Sequence, residues 1–324
     1  MLTFNNKIIT RNTKWIAHTY DPYNPLNLPP FTLRVKFKTG YNPIPPNTKF
    51  DVLTQISVEP NIWDLTRYDP DWRGVLGENL YLLEVLGANT TGVTNMRDMF
   101  GYYSYVGDFS STVLFDTSSV TSMHGMFFGC SKLTTIPLYD TSNVTDMANM
   151  FTSCSRLTSV PLFNTSKVTS MAATFHYCTA LTSVPLFDTS SVTDMSSMFH
   201  GCDALTSVPL FDTSKVKDME SMFQSCDLLT SVPLFNTSNV TSMNSMLGWC
   251  SGLTSVPLFN TSKVTNMSSM LVDCVNIQSG ALALYRQASS QSTPPSKHSR
   301  TFQNCGSNTT TGAAELAQIP SDWK

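Results

Sequence analysis

The chain has 324 residues, with 20 Lys+Arg against 23 Asp+Glu, a formal net charge of -3 and a pI of about 5.9. Charged residues make up 13% and hydrophobic ones 41%, enough apolar mass for a sizeable core, which excludes wholesale disorder. A near-neutral balance without a basic block argues against nucleic acid as the main partner, and no run of ~18 apolar residues is present for membrane insertion.

The first stretch, MLTFNNKIITRNTKWIAHTY, interrupts its apolar residues with polar ones. It lacks the apolar core of a secretory signal, so export by the usual route is not expected. Phe31, Leu33, Val35 and Phe37 then alternate with Thr32, Arg34, Lys36 and Lys38, which predicts a half-buried strand. Prolines at 22, 25, 29 and 30, and again at 43, 45 and 46, bracket it with turns. Residues 1–57 are therefore expected to be a small β-rich docking module, with Phe31, Leu33, Val35 and Phe37 on an edge strand that pairs with a partner's sheet. Residues 58–81 read as a degenerate capping turn, because Trp72, Val75 and Leu76 stand 24 residues before Met96, Met99 and Phe100.

Residues 82–277 are governed by a repeat. Cysteines stand at 130, 154, 178, 202, 226, 250 and 274, each 24 residues after the last, and all 16 methionines except Met1 fall on the same lattice. The unit is V-T-x-M-x-x-M-F-x-x-C-x-x-L-T-S-V-P-L-F-(D/N)-T-S-x, with Thr174 replacing one methionine. Leu82, Val85 and Asn89 match earlier offsets of the lattice, and a 27-residue step places three extra residues near Tyr102–Phe109. Val144, Met147, Met150 with Phe151, Cys154 and Leu157 step by three or four, which predicts one face of a helix in every unit. Asp140, Thr141 and Ser142 supply oxygens to cap its first amides. The L-T-S-V-P-L-F half holds a proline and is too short for a helix, so it reads as a brief strand and turn. The expected fold is an α/β repeat solenoid, leucine-rich-repeat-like, in which no coil buries its apolar face alone. From Gly280, the run Ala281–Ala288 predicts a helix, and residues 278–324 are expected to cap the last coil with that helix and Trp323. Phe302-Gln303-Asn304-Cys305 echoes F-x-x-C after an insertion.

The M-x-x-M-F-x-x-C-x-x-L-T-S-V-P-L-F-D-T-S form resembles the BspA-like leucine-rich-repeat surface-protein family over roughly residues 80–277. The tail from Asn276 to Lys324 looks like the C-terminal cap of its gut-bacterial and phage-borne members. The resemblance implies adhesion or ligand binding at a surface, without catalysis.

Each candidate site has a bland reading beside it. The cysteine column lacks the paired local spacing of a zinc site and reads as buried, reduced thiols; the methionine columns read as core filling. The aromatic column at 115, 139, 163, 187, 211, 235 and 259 follows a leucine taken as inward, and is either an internal spine or an exposed stacking ladder. The Asp/Asn column at 116, 140, 164, 188, 212, 236 and 260 reads as turn caps. Units differ most at the two positions before each cysteine, which are expected to face solvent. There Tyr177 and Trp249 offer rings to a sugar or protein partner, while His176 and His200 are neighbours without a third metal ligand. G-x-S-x-G, H-E-x-x-H, P-loop and G-x-G-x-x-G motifs are missing. The expectation is a non-enzyme without cofactor or metal.

The function read from these features is a bacteriophage virion component, in a tail, a fibre or a capsid decoration. Residues 1–57 would contact other virion proteins, and the solenoid a host-surface protein or glycan. The alternative is a bacterial cell-surface adhesin of the same family, and self-association is compatible with both.

Overall fold

The computed structural model describes residues 31–37, 52–55, 62–74, 82–101 and 115–324. Near the N-terminus lies a four-stranded antiparallel sheet of β1 (Thr32–Phe37), β2 (Val52–Gln55), β3 (Ile62–Thr66) and β4 (Leu82–Asn89), in the order β2-β3-β1-β4. The alternating run gives β1, as its period demands, but its place differs from expectation. β3 pairs along one side, with Leu33 opposite Leu65 and Val35 opposite Trp63. β4 pairs along the other, with Val35 opposite Val85 and Phe37 opposite Leu82. β1 is thus an interior strand with its ladder groups already paired, so the docking edge expected at Phe31–Phe37 is not free. Leu82 and Val85 likewise belong to the sheet, which draws strands from residues 1–57, 58–81 and 82–277 alike. Thr32, on the polar side of the alternation, is buried as well, and its Oγ1 lies 2.7 Å from that of buried Thr66, which satisfies both hydroxyls. The proline-rich flanks, Val75, Leu76 and the insertion near Tyr102–Phe109 lie outside the described residues.

The remainder is a solenoid. Single-residue parallel bridges run through Asp71, Asn95, Ser122, Asp146, Ser170, Asp194, Asp218, Ser242, Asn266 and Lys297. Most steps are 24 residues; the 27-residue step holds the insertion and the last, of 31, holds a helix. Trp72 sits in the first of these coils, buried, with its N–H donating to Asn95 O at 2.8 Å.

The expected helix within each unit does not form. In the coil 141–164 the backbone N–H groups alternate between two destinations. Those of Met150, Thr152 and Cys154 donate three residues back, to Met147, Asn149 and Phe151, at 3.0–3.2 Å. Those of Met147, Asn149, Phe151 and Ser153 cross to the next coil, to Ser170, Ala172, Thr174 and His176, at 2.7–3.2 Å. Two left-handed residues per unit, Asn149 (φ 58°) and Ser153 (φ 61°) here, turn the chain so that alternate amides point along the stack. A helix would spend every amide internally; this chain uses half of them to bind coil to coil. The left-handed sites cost of order 1 kcal/mol each for non-glycine residues, and the inter-coil bonds hold them.

Side chains reinforce the stack. Thr117, Thr141, Thr165, Thr189, Thr213 and Thr237 are buried, each donating its Oγ1–H 2.7–2.9 Å to a carbonyl of the next coil. The Asp/Asn column caps turns rather than helices: Ser142 N–H donates to Asp140 Oδ1 at 2.9 Å, and Ser190 N–H to Asp188 Oδ1 at 3.0 Å. Inside, two aromatic columns interleave. Phe127, Phe151, Phe175, Phe199 and Phe223 stack with centroids 5.6–5.7 Å apart. Phe163, Phe187, Phe211 and Phe235 pack beside them at 6.0–6.3 Å. The second aromatic column is therefore the internal spine, and the leucine preceding it, read as inward, points out.

The array ends under a cover. α1 (Ala281–Ser289) forms where predicted and buries Ala281, Leu282, Leu284 and Ala288. The chain then supplies one more coil: Met267, Ser269, Leu271 and Asp273 donate to Lys297, Ser299, Thr301 and Gln303. α2 (Thr310–Ala317) and a 3-10 turn (Ser321–Trp323) follow. Trp323 is buried, stacks on His298 at 4.2 Å and meets Tyr285 edge-on at 5.4 Å.

Candidate functional site

All eight cysteines are buried free thiols. Burial pushes Cys130, Cys250 and Cys305 up to about 12 and the rest well above the ordinary thiol value. Cys154, Cys178, Cys202 and Cys226 each donate S–H 3.1 Å to the phenylalanine carbonyl 27 residues earlier. The column is structural. Among the described residues no group of three or more His, Cys, Asp or Glu is placed to hold a metal ion, and no helix is long and apolar enough to cross a membrane.

The variable positions behave differently from each other. Two residues before the cysteine, Thr152, Gly248 and Val272 are buried and His176 and His200 are half-buried, so that column is not uniformly solvent-facing. The expectation fails there because the position donates back into its own turn, as His176 N–H does to Ala173 O at 3.1 Å. The residue directly before the cysteine is left-handed in every coil from 129 to 273, and a left-handed site at a corner throws its side chain outward. Here stand Gly129, Ser153, Tyr177, Gly201, Ser225, Trp249 and Asp273; Tyr177 is 46% and Trp249 38% exposed.

Three of the four sequence-selected residues come together. The His176 ring lies 4.4 Å from Tyr177 and 4.7 Å from His200, and Tyr177 lies 5.2 Å from His200. Gly201 makes this possible: a Cβ there would collide with the ring carbons of Tyr177, so glycine both accepts φ 71° and lets the ring lie flat across the next coil. Partial burial lowers the basicity of both histidines; that of His200 falls to about 4, through burial first and the neighbouring His176 second. Both imidazoles are therefore uncharged at neutral pH, each with one donor and one acceptor nitrogen, and the three rings form a triangle of mutual contacts. Trp249 stands alone, three coils further on.

Two surface features escaped the sequence reading. The x of V-T-x-M, which forms the bridge ladder, is Asn, Ser or Asp throughout 95–266. These are short side chains that accept from the amide two residues on, as Asp146 does from Ala148 at 2.9 Å. That restriction was the available signal. The second feature is a row of leucines, Leu138, Leu162, Leu186, Leu210, Leu234 and Leu258, which are 52–64% exposed. Its only signal was the leucine after proline in six consecutive units.

Residues 81–183, 158–253 and 203–304 each match the family described as Mycoplasma protein of unknown function, DUF285. No curated protein matches the chain. A leucine-rich repeat protein of T. pallidum is 20% identical over 54% of this chain and 78% of that one, with a TM-score of 0.40. A leucine-rich repeat protein of Eubacterium ventriosum is 16% identical over 68% of this chain and 82% of that one, with a TM-score of 0.35. The three overlapping family matches take in more than half of the sequence, and the chain belongs to DUF285.

Proposed function

We propose that this DUF285 member is a non-catalytic adhesin displayed on a bacterial cell surface, and that it binds a neutral host glycan. Tyr177, His176 and His200 form the main contact and Trp249 a second one. The observation that carries the reading is the cluster itself: an exposed phenol ring in mutual contact with two half-buried, uncharged imidazoles, on a scaffold whose Thr, Cys and Phe columns are spent on stacking. Ring faces suit the C–H faces of a sugar, and neutral imidazoles suit its hydroxyls as both donors and acceptors. A glycan spanning several coils would gain avidity from two aromatic contacts on one rigid rod.

The bacterial surface is preferred to a virion because the family is described from Mycoplasma, a cellular organism. The interior position of β1 also leaves Phe31–Phe37 without the free edge through which that strand was to join other virion proteins.

The test is binding of the purified full chain to an array of neutral and acidic host-type glycans, with Tyr177→Ala and Trp249→Ala variants. The reading predicts retention of a neutral glycan by the wild type, a loss of about tenfold or more for Tyr177→Ala, as base–aromatic stacking losses suggest, and a smaller loss for Trp249→Ala. Binding that neither variant weakens, or no glycan retained at all, would overturn it.

A further inference from the structure

We infer that the leucine row is a self-association face, through which two copies of this chain pair side by side. This goes beyond the proposed adhesin and uses a different stretch of each coil, so either reading can fail without the other. In the six stretches 133–139, 157–163, 181–187, 205–211, 229–235 and 253–259 the sequence is L-T-(T/S)-(I/V)-P-L-(F/Y), and none of these 42 residues is charged. The first leucine, the Ile/Val and the terminal ring are buried, whereas the leucine after proline stands out at 52–64% exposure in all six coils. The hydroxyls of this face are partly spent on their own stack: Thr158, Thr182 and Thr254 donate to the threonine carbonyl one coil earlier at 3.2–3.5 Å. What remains outward is the leucine row with its half-buried prolines, beside exposed Thr and Ser, and bordered two residues on by the exposed Asp140, Asp188 and Asp212.

The occupant follows from pitch, charge and area. Six rungs at ~4.8 Å and an outward arc of five residues at ~3.3 Å give a flat footprint of roughly 29 by 16 Å, about 460 Å² per copy. Two copies together approach the ~1,000 Å² floor of a specific contact while falling short of the ~1,600 Å² standard size. Pairing should therefore be weak and reversible. An unlike protein would have to present an apolar group at the same spacing over six rungs; a second copy does so by construction. The leucines and prolines meet without burying an ion, and the carboxylates of Asp140, Asp188 and Asp212 stay solvated at the rim.

Sedimentation velocity of the full chain from about 1 to 200 µM tests this, using wild type and a Leu186→Lys, Leu210→Lys double variant at the middle of the row. The expected result is a monomer–dimer equilibrium for wild type and a Kd raised about 100-fold or more in the double variant, as for a disrupted interface centre. Thermal melts of the two proteins should coincide, because the exposed leucines take no part in folding. Should the double variant fail to fold, Leu186→Cys replaces it. The native thiols are all buried, so a short bismaleimide should couple that variant into dimers and leave wild type untouched. A wild type that stays monomeric to 200 µM, a dimer the lysines do not weaken, open-ended oligomers, or a monomer that instead binds neutral lipid vesicles would each overturn the proposal.

Discussion

Leu186 and Phe187 are adjacent apolar residues that the fold sends in opposite directions, and exchanging each for alanine separates this architecture from any arrangement that treats them alike. Phe187 is buried at 2% exposure and stacks on Phe175, its ring centroid 6.3 Å away at 12°. Phe187→Ala removes a buried side chain from a column that cannot collapse without disturbing the coils on either side. The expected cost is ~3–5 kcal/mol, part of it the lost ring pair at ~0.5–1.5 kcal/mol. Leu186 is 59% exposed, so Leu186→Ala should stay within ~0.5 kcal/mol. For a stack of this size a kcal/mol is worth about 2–4 °C. Phe187→Ala should then melt about 6–20 °C below wild type and Leu186→Ala within about 2 °C of it, by circular dichroism below 1 µM, where copies stay apart. Equal effects, or a larger loss at Leu186, would refute the inside–outside assignment of the P-L-F segment and with it the leucine row.

Three further outcomes are expected. Titrated with a thiol reagent, native protein should show almost no reaction and denatured protein without reductant should show eight equivalents, because burial raises every thiol and none is paired; fewer than eight would reveal a bond or ligand on the column. His200 has a folded value of about 4, below its ordinary 6.5, so the unfolded chain holds the extra proton. Its contribution is intact above pH 6.5 and is lost as pH falls toward 4. The drop in melting temperature between pH 7 and pH 5 should shrink in His200→Gln, and an unchanged drop would contradict this; comparing the two proteins cancels Asp203 and Asp218, whose raised values act in the opposite sense. Tyr139 occupies a place that is Phe in the other described coils, and its buried hydroxyl has no partner among the described residues. Tyr139→Phe should therefore gain ~1–3 kcal/mol, and a loss would show that the hydroxyl is satisfied.

Much of this was legible in the sequence because stacking makes the chain repeat its own constraints. A cysteine every 24 residues, with methionines beside it, announces columns that share one environment, and the columns are indeed buried. The 27-residue step and the echo at Phe302–Cys305 follow from the same lattice, and α1 from the run Ala281–Ala288 beyond it. The helix did not follow, because a spacing of three or four is ambiguous. Successive three-residue turns put Val144, Met147, Met150 and Cys154 on one side as well as a helix does. The deciding feature, a left-handed backbone at Asn149 and Ser153, leaves no mark when Ser, Ala, Tyr and Trp occupy equivalent sites and only Gly125, Gly129 and Gly201 hint at it. The leucine row was hidden for a related reason. In L-F, hydrophobicity cannot say which residue turns inward; the path of the chain after proline decides, and every later coil copies the decision. The Tyr177 cluster was half visible: adjacency of His176 and His200 followed from the 24-residue step, while the ring lying over Gly201 needed the backbone.

Hydroxyl-radical footprinting of the native full chain, read residue by residue by mass spectrometry, tests the central claim most directly. Methionine and cysteine are intrinsically among the most oxidisable side chains, so a disordered or differently wound chain would show oxidation concentrated on its sulfur columns. The stacked-coil account predicts the reverse. Below about 1 µM, where copies stay apart, Tyr177, Trp249 and the leucines at 138, 162, 186, 210, 234 and 258 should be labelled, while the fifteen methionines from Met96 to Met270, all at 0–1% exposure, stay protected until the protein is denatured. Native methionines that oxidise at the denatured rate, with the leucine row unlabelled, would contradict it.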